Sequence, residues 1–228
     1  MYNLFLIALF PIIIFAFYIY VSDKYEKEPI KLLIVGIIFG AIISVPIGFV
    51  EKYLEKFLPS TNNFAQAFYL SFVVAAMTEE IFKFIVLYFL IWRQKNFNEP
   101  FDGIIYAVMI SLGFAMTENI LYVINPQIGG ISTAFERAIF SVPAHGFFGV
   151  TMGYFFALAK YEPPQKIKYM VYAFLFPIIL HGLFNFILLC DIPFVMLLFT
   201  VYAVYLWIGG QKKINIHLSN SPFKNKST

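Results

Sequence analysis

The sequence has few charged residues and almost no cysteine, and each shortage excludes a class of protein. Only 13% of the 228 residues are Asp, Glu, Lys or Arg, whereas a soluble domain carries about 25%. The single cysteine, Cys190, excludes an internal disulfide and a cysteine-ligated metal cluster. The net charge of +3 says little about nucleic acid in a chain with no room for a soluble domain beside its apolar runs, and we expect no nucleic-acid partner.

Apolar residues, by contrast, are abundant. They make up 61% of the chain, 20% of it is aromatic, and the mean hydropathy is +0.78. This composition predicts an all-α, polytopic bundle of transmembrane helices in the lipid bilayer. We expect one transmembrane domain over residues 1–210 and a polar, fraying cytoplasmic tail over 211–228. About seven apolar runs can be drawn, at roughly 2–21, 30–50, 64–92, 103–124, 133–159, 167–189 and 192–210.

The basic residues are shared unevenly between the two sides of the predicted bundle. Most of the 16 Lys and Arg residues fall in one set of alternate loops and in the C-terminal tail. The positive-inside rule then predicts an N-terminus outside the cell and a C-terminus in the cytoplasm, which an odd number of spans requires.

A pair of glutamates, Glu79 and Glu80, lies inside the third apolar run. A charged residue at the bilayer centre costs at least about 2.5 kcal/mol, so the pair indicates chemistry, an ion path or an internal ion pair. Lys83 follows at helical spacing, so its ammonium can reach either carboxylate. We expect one glutamate to be held by this supporting ion pair while the other faces a site.

Three later runs also carry polar side chains. Counted at about 1.5 Å per residue from the nearest charged residue at the cytoplasmic end, these groups and Glu80 all lie about 20–24 Å deep. Such agreement predicts one shared site at the midplane or in the outer half of the bilayer. The later members are Glu118 and Asn119 in the fourth run, His145 in the fifth, and His181 and Asn185 in the sixth.

Other charged residues fall at the ends of the predicted runs. Asp102 and the pair Glu136–Arg137 are of this kind, and we expect them to be solvated or ion-paired.

Two ways of activating water could use these residue types. In the first, a zinc ion is held by His145, His181 and Glu118, and a second glutamate activates the bound water. In the second, no metal is required: a glutamate and a histidine activate water, while His181 and Asn185 donate hydrogen bonds to the oxyanion. The residue types permit both, and the usual zinc-protease spacing of two histidines four residues apart is absent.

The ordered set of motifs resembles the PrsW family of intramembrane proteases, within the wider group of CAAX-protease-like membrane proteins. The resemblance covers nearly the whole chain. Its motifs are DKYEKEP at 23–29, EEIFK at 79–83, FDGIIY at 101–106, SLGFA at 111–115, ENILY at 118–122, His145 with Gly149, and His181 with Gly182.

The resemblance implies a bacterial plasma-membrane endopeptidase that makes the first, or site-1, cut in a membrane-spanning anti-sigma factor during an envelope-stress response. It also implies that Glu79 and Glu80 are the catalytic pair and His181 the essential histidine, with Glu118 and His145 as further candidates. Asn185 is similar to the residue that the wider group has at this position. Two other classes stay open: a non-catalytic membrane scaffold or chaperone, and an ion-coupled transporter.

Overall fold

The computed structural model describes residues 2–60, 63–190 and 192–224, and within these ranges the chain forms helices and no strand. The all-α prediction is confirmed. The main helices are α1 (Tyr2–Ser22), α2 (Ile30–Leu54), α3 (Asn63–Phe68), α4 (Thr78–Ile91), α5 (Pro100–Ile124), α6 (Ile131–Glu136), α7 (Val142–Tyr161), α8 (Lys166–Leu189) and α9 (Pro193–Ser219).

Six helical runs of the described chain are long and apolar enough to cross a membrane, one fewer than the seven predicted. They are Leu4–Ser22, Ile30–Phe57, Pro100–Ile124, Ile131–Tyr161, Pro163–Leu189 and Pro193–Ser219. The remaining predicted run is helical from Asn63 to Ile91 and packs against α2 and α8. It is not among the six, and Glu79, Glu80 and Lys83 near its middle lower its hydropathy. That this run also crosses the membrane stays a prediction.

The outer surface of the bundle is apolar, as a lipid environment requires. Large side chains such as Phe10, Phe49, Phe89 and Ile167 are more than 60% exposed. A surface of this kind in water would be an aggregation or interaction site, whereas in a bilayer it contacts lipid tails.

Helix α5 is the centre of the bundle. It is buried along nearly its whole length and packs against α7, α2 and α1. Glycines permit this packing, because a Cβ at Gly40 of α2 would overlap the carbonyl of Ile110, and one at Gly153 of α7 would overlap the carbonyl of Gly103. The close approach of three helices places their polar residues within side-chain reach of one another.

Two stretches of π-helix interrupt the regular geometry. Tyr69–Met77 joins α3 to α4, and Arg137–Ser141 joins α6 to α7. The wider turn of a π-helix rotates the residues that follow it relative to a regular α-helix, and such segments are frequent at functional sites. Here Glu79 lies two residues after the first segment, and the second one begins with Arg137.

The last helix continues beyond the predicted start of the tail. Residues 211–219 are helical, and Ile214, His217 and Leu218 are buried. These three positions share one helix face. The His217 ring stacks on Tyr154 and its Nε2 lies 3.0 Å from the Tyr154 carbonyl oxygen. This segment is therefore packed rather than frayed, and the last part of the predicted tail, residues 225–228, lies outside the described residues.

Candidate active site

The two glutamates share one lysine in the interior of the bundle. Lys83 Nζ lies 3.1 Å from Glu79 Oε2 and 2.8 Å from Glu80 Oε1. Glu80 and Lys83 are fully buried, whereas Glu79 borders a cavity. The ammonium thus contacts both carboxylates at once, because positions three and four residues apart lie on one helix face.

Two histidines from other helices point one ring nitrogen at this group. His181 Nδ1, on α8, lies 2.9 Å from Glu80 Oε1 and 3.8 Å from Glu79 Oε2. His145 Nδ1, on α7, lies 3.2 Å from Lys83 Nζ. Since a carboxylate only accepts and an ammonium only donates, His181 donates through Nδ1 and His145 accepts at Nδ1.

The second ring nitrogen of each histidine, Nε2, faces away from Lys83 and Glu80 and has a partner of its own. His145 Nε2 lies 3.0 Å from Glu118 Oε2, and the Asn185 amide Nδ2 lies 3.2 Å from His181 Nε2. Such an outer partner holds an imidazole in one orientation and one tautomer. Both rings are thereby aimed with Nδ1 toward the glutamate pair.

Arg137 completes the charge balance around Glu118. Its Nη2 lies 2.8 Å from Glu118 Oε2, and its Nε donates to Asn119 Oδ1 at 2.9 Å. Asn119 in turn donates to the Ala8 carbonyl at 2.7 Å. The expected ion pairing of Arg137 is present, but its place beside the polar cluster was not anticipated. The feature of the sequence that could have indicated it was the adjacent pair Glu118–Asn119. Two neighbouring acceptors suit an arginine, because its guanidinium can donate to both.

Asp102 differs from the expectation of a solvated or ion-paired residue. It is fully buried, and its Oδ2 accepts the backbone N–H groups of Asn98 and Glu99 at 2.7 Å each. It caps the first turn of α5, where four backbone donors lack partners within the helix. Within the described residues it forms no ion pair.

A cavity of about 490 Å³ opens beside the cluster. Its walls come from the C-terminal parts of α2, α5 and α8, including Gly48, Glu51, Glu118 and Asn185. A chamber of about 30 Å³ lies deeper, between Glu118, His145, His181 and Asn185. That volume holds at least one water molecule, which needs about 10–15 Å³. A water molecule in this chamber would be within reach of the histidines.

The ring nitrogens and carboxylate oxygens that face one another in this group also fit a metal ion. Ligand atoms of Glu79, Glu80, His145 and His181 all lie within 4.8 Å of one another, and imidazole and carboxylate are ordinary zinc ligands. Glu80 Oε2 is buried without a hydrogen-bond partner in the described chain. His145 Nδ1 already presents a lone pair, whereas His181 Nδ1 would have to give up its hydrogen, and the Lys83 ammonium would have to move aside.

Glu118, suggested by the sequence as a third ligand, lies outside this donor set. Its Oε2 contacts Arg137 and the far nitrogen of His145. It is therefore placed to orient a ligand rather than to act as one.

The chain matches, over residues 28–209, the family described as PrsW family intramembrane metalloprotease. It belongs to the PrsW family. The chain is 37% identical to Protease PrsW of Clostridioides difficile (strain 630), over 96% of this chain and 93% of the relative. It is 42% identical to Protease PrsW of Oceanobacillus iheyensis, over 84% and 85%. It is 34% identical to Protease PrsW of Bacillus subtilis (strain 168), over 86% and 87%.

Family membership confirms three predictions: an intramembrane peptidase, a multi-pass bacterial membrane protein, and the resemblance itself. No solved structure matches this PrsW-family chain.

Proposed function

We propose that this chain makes the first cut in a single-span anti-sigma factor, on the outer side of the bilayer, with the buried glutamates and histidines as its catalytic residues. The observation that carries the proposal is the convergence of Glu79, Glu80, His145 and His181 beside the cavity. The cavity is walled by the ends of α2, α5 and α8 that the positive-inside rule assigns to the outside. An unwound substrate segment is easier to accommodate there than at mid-bilayer, because freed backbone groups can reach water.

Each residue has a distinct task in the reaction. Glu79, which borders the cavity, takes a proton from the attacking water. The water oxygen bonds to the scissile carbonyl carbon, the C–N bond breaks, and the proton passes to the departing amine. Glu80 holds His181 and Lys83 in place. Asn185 donates its second amide hydrogen to the oxyanion, His181 holds Asn185 in place by accepting the first one at Nε2, and Glu118 fixes His145.

The family description implies a metal, and the inward-facing atoms fit one. We propose that His145, His181 and Glu80 hold a zinc ion. When bound, the ion would act as a Lewis acid on the carbonyl and on the water. The tasks given to Glu79, Glu118 and Asn185 are the same with or without it.

Co-expression with candidate single-span substrates tests the function. Wild type should release an extracytoplasmic fragment, and Glu80→Gln should release none while accumulating normally in the membrane. Glu162→Gln, a glutamate in the loop after α7, is the matched control and should cleave like wild type. Mass spectrometry of the fragments locates the cut. A cut on the cytoplasmic side would refute the proposed placement, and cleavage by Glu80→Gln would refute the catalytic assignment.

Metal content of the purified protein tests the zinc ion independently of activity. We expect about one equivalent per chain in wild type and a large loss in His145→Ala and His181→Ala. His217→Ala removes the remaining histidine, on α9, and should retain the metal. Full activity in metal-free protein would refute the zinc ion and leave water activation to the glutamates and histidines alone.

A further inference from the structure

A second group of buried carboxylates lies at the other end of α5. It consists of Glu26 and Glu28 from the α1–α2 loop and Asp102 from the first turn of α5. One ligand oxygen from each lies within 4.8 Å of the other two. Asp102 is about 24 Å along α5 from Glu118, at about 1.5 Å per residue, so this acidic cluster is separate from the catalytic one. It joins two motifs, residues 23–29 and 101–106, that the reaction does not use.

Two of the three residues of the acidic cluster are buried, and their carboxylates are only partly satisfied. Glu28 is 1% exposed and Asp102 is fully buried. Tyr106 donates to Glu28 Oε2, and backbone amides donate to Asp102 Oδ2. Glu28 Oε1, Asp102 Oδ1 and Glu26 Oε2 accept no hydrogen bond from an N–H or hydroxyl group of the described chain, but Glu28 and Asp102 lie within hydrogen-bond reach of each other. Buried carboxylates this close together need a proton or a cation between them.

The two basic side chains beside the acidic cluster have other partners. Lys27 donates to the carbonyls of Tyr20 and Asp23. Lys160 donates to the carbonyl of Phe97, and its charge acts on Asp102 without an ion-pair contact. The three carboxylates therefore meet with no ion pair to Lys27 or Lys160.

The donor set indicates the class of ligand. It contains only oxygen, which suits the hard cations Mg²⁺ and Ca²⁺ rather than zinc or copper. Calcium binds oxygen at about 2.4 Å, so two of its ligands can lie up to about 4.8 Å apart; for magnesium the limit is about 4.2 Å. We propose that Glu26, Glu28 and Asp102 bind one divalent cation of this class, which ties the α1–α2 loop to the start of α5.

Thermal unfolding of the purified full-length protein in lipid nanodiscs tests the proposal. After treatment with EDTA, Ca²⁺ and Mg²⁺ are titrated separately at constant ionic strength. At about 100-fold excess over Kd, the apparent Tm of wild type should rise by about 5–10 °C. The cation with the lower Kd identifies the resident ion.

Variants that remove one charge each locate the binding site. Glu28→Gln and Asp102→Asn keep an acceptor for Tyr106 or the backbone amides, and each should lose the shift. Because they also remove repulsion, both should melt above wild type when no cation is present. Glu26→Gln, at a partly exposed position, provides a variant with little risk to folding. Glu162→Gln and Glu80→Gln should keep the full shift.

Three outcomes would overturn the proposal. The first is a wild-type Tm that responds to neither cation, as expected if Glu28 and Asp102 share a proton instead. The second is a Tm shift in Glu28→Gln, Asp102→Asn and Glu26→Gln that is as large as the shift of wild type. The third is loss of the shift in Glu80→Gln, which would assign the cation to the catalytic cluster. None of these results depends on whether the protein cleaves a substrate.

Discussion

Two groups of carboxylates in the bundle differ in their partners: the proposed catalytic cluster (Glu79, Glu80 and Glu118, with His145 and His181) and the acidic cluster (Glu26, Glu28 and Asp102). Glu79 and Glu80 share Lys83, and Glu118 is paired with Arg137, so each of these three carboxylates contacts a basic side chain. Glu28 and Asp102 accept hydrogen bonds from a phenol and from backbone amides instead. The comparison shows that burial alone does not define a carboxylate's role. Buried carboxylates that contact a basic side chain can stay charged for chemistry, whereas buried carboxylates without such a contact must take up a proton or a cation.

We expect the largest effect on stability when Glu79 and Glu80 lose their basic partner and so resemble the carboxylates of the acidic cluster. Lys83→Met removes the ammonium that contacts both Glu79 and Glu80 and should lower the free energy of unfolding by about 3–5 kcal/mol, because a buried charge loses its partner. Thermal unfolding in nanodiscs measures the loss. The double variant Glu80→Gln/Lys83→Met should recover part of it. Equal stability of Lys83→Met and wild type would show that the ion pair does not hold the cluster.

A smaller effect is expected from the Asn185 amide, which contacts His181. Asn185→Ala should lower kcat about 100-fold with little change in KM, because an oxyanion donor acts mainly in the transition state. Steady-state cleavage of a fluorogenic substrate measures both constants. Leu188→Ala, on the same wall of the cavity, is the control for shape. A rise in KM with kcat unchanged would assign Asn185 to substrate binding instead.

The pairing at Glu118 should be sensitive to geometry as well as charge. Arg137→Lys keeps the charge but cannot reach Glu118 and Asn119 with two separate donors, so we expect about 1–3 kcal/mol of destabilisation. Chemical or thermal unfolding measures it. Arg93→Lys, at an exposed position after α4, should be neutral. If Arg137→Lys is as stable as Arg93→Lys, the contact of Arg137 with both Glu118 and Asn119 contributes nothing to stability beyond its charge.

The smallest effect should come from the acidic cluster. Tyr106→Phe removes the hydroxyl that donates to Glu28, at a fully buried position, and should cost about 1 kcal/mol. The measurement is thermal unfolding with and without added cation. Tyr88→Phe, on a partly exposed face of α4, is the matched control. A loss as large as that of Lys83→Met would mean that the phenol, rather than a cation, is the main partner of the acidic cluster.

The polar residues that meet in the site could be identified from the sequence, because the depth of a residue in the membrane depends on its position along its own helix. Helical rise per residue is nearly constant, so counting from the charged ends placed Glu80, Glu118, His145 and His181 in one layer. The contact of Lys83 with both glutamates follows from helical spacing in the same way. The wider resemblance then indicated the family that the comparisons show.

The rotation of each helix about its axis could not be obtained by counting. The π segments at 69–77 and 137–141 change the direction of the side chains that follow them, and no local pattern announced them. Arg137 therefore came as an unexpected member of the site. The packing of residues 211–219 against α7 was missed for a related reason, since its polar composition concealed a buried face.

The sequence by itself determined that the chain is a membrane-embedded helical bundle and which polar residues reach the same depth, since composition and helical rise need no knowledge of neighbours. The tertiary structure decided which atoms meet. It directed Glu118 to Arg137 and the outer nitrogen of His145, and brought Glu28 and Asp102 together with Glu26. Those outcomes depend on how closely α5 approaches α2 and α7, and that distance is set by packing between segments far apart in the chain.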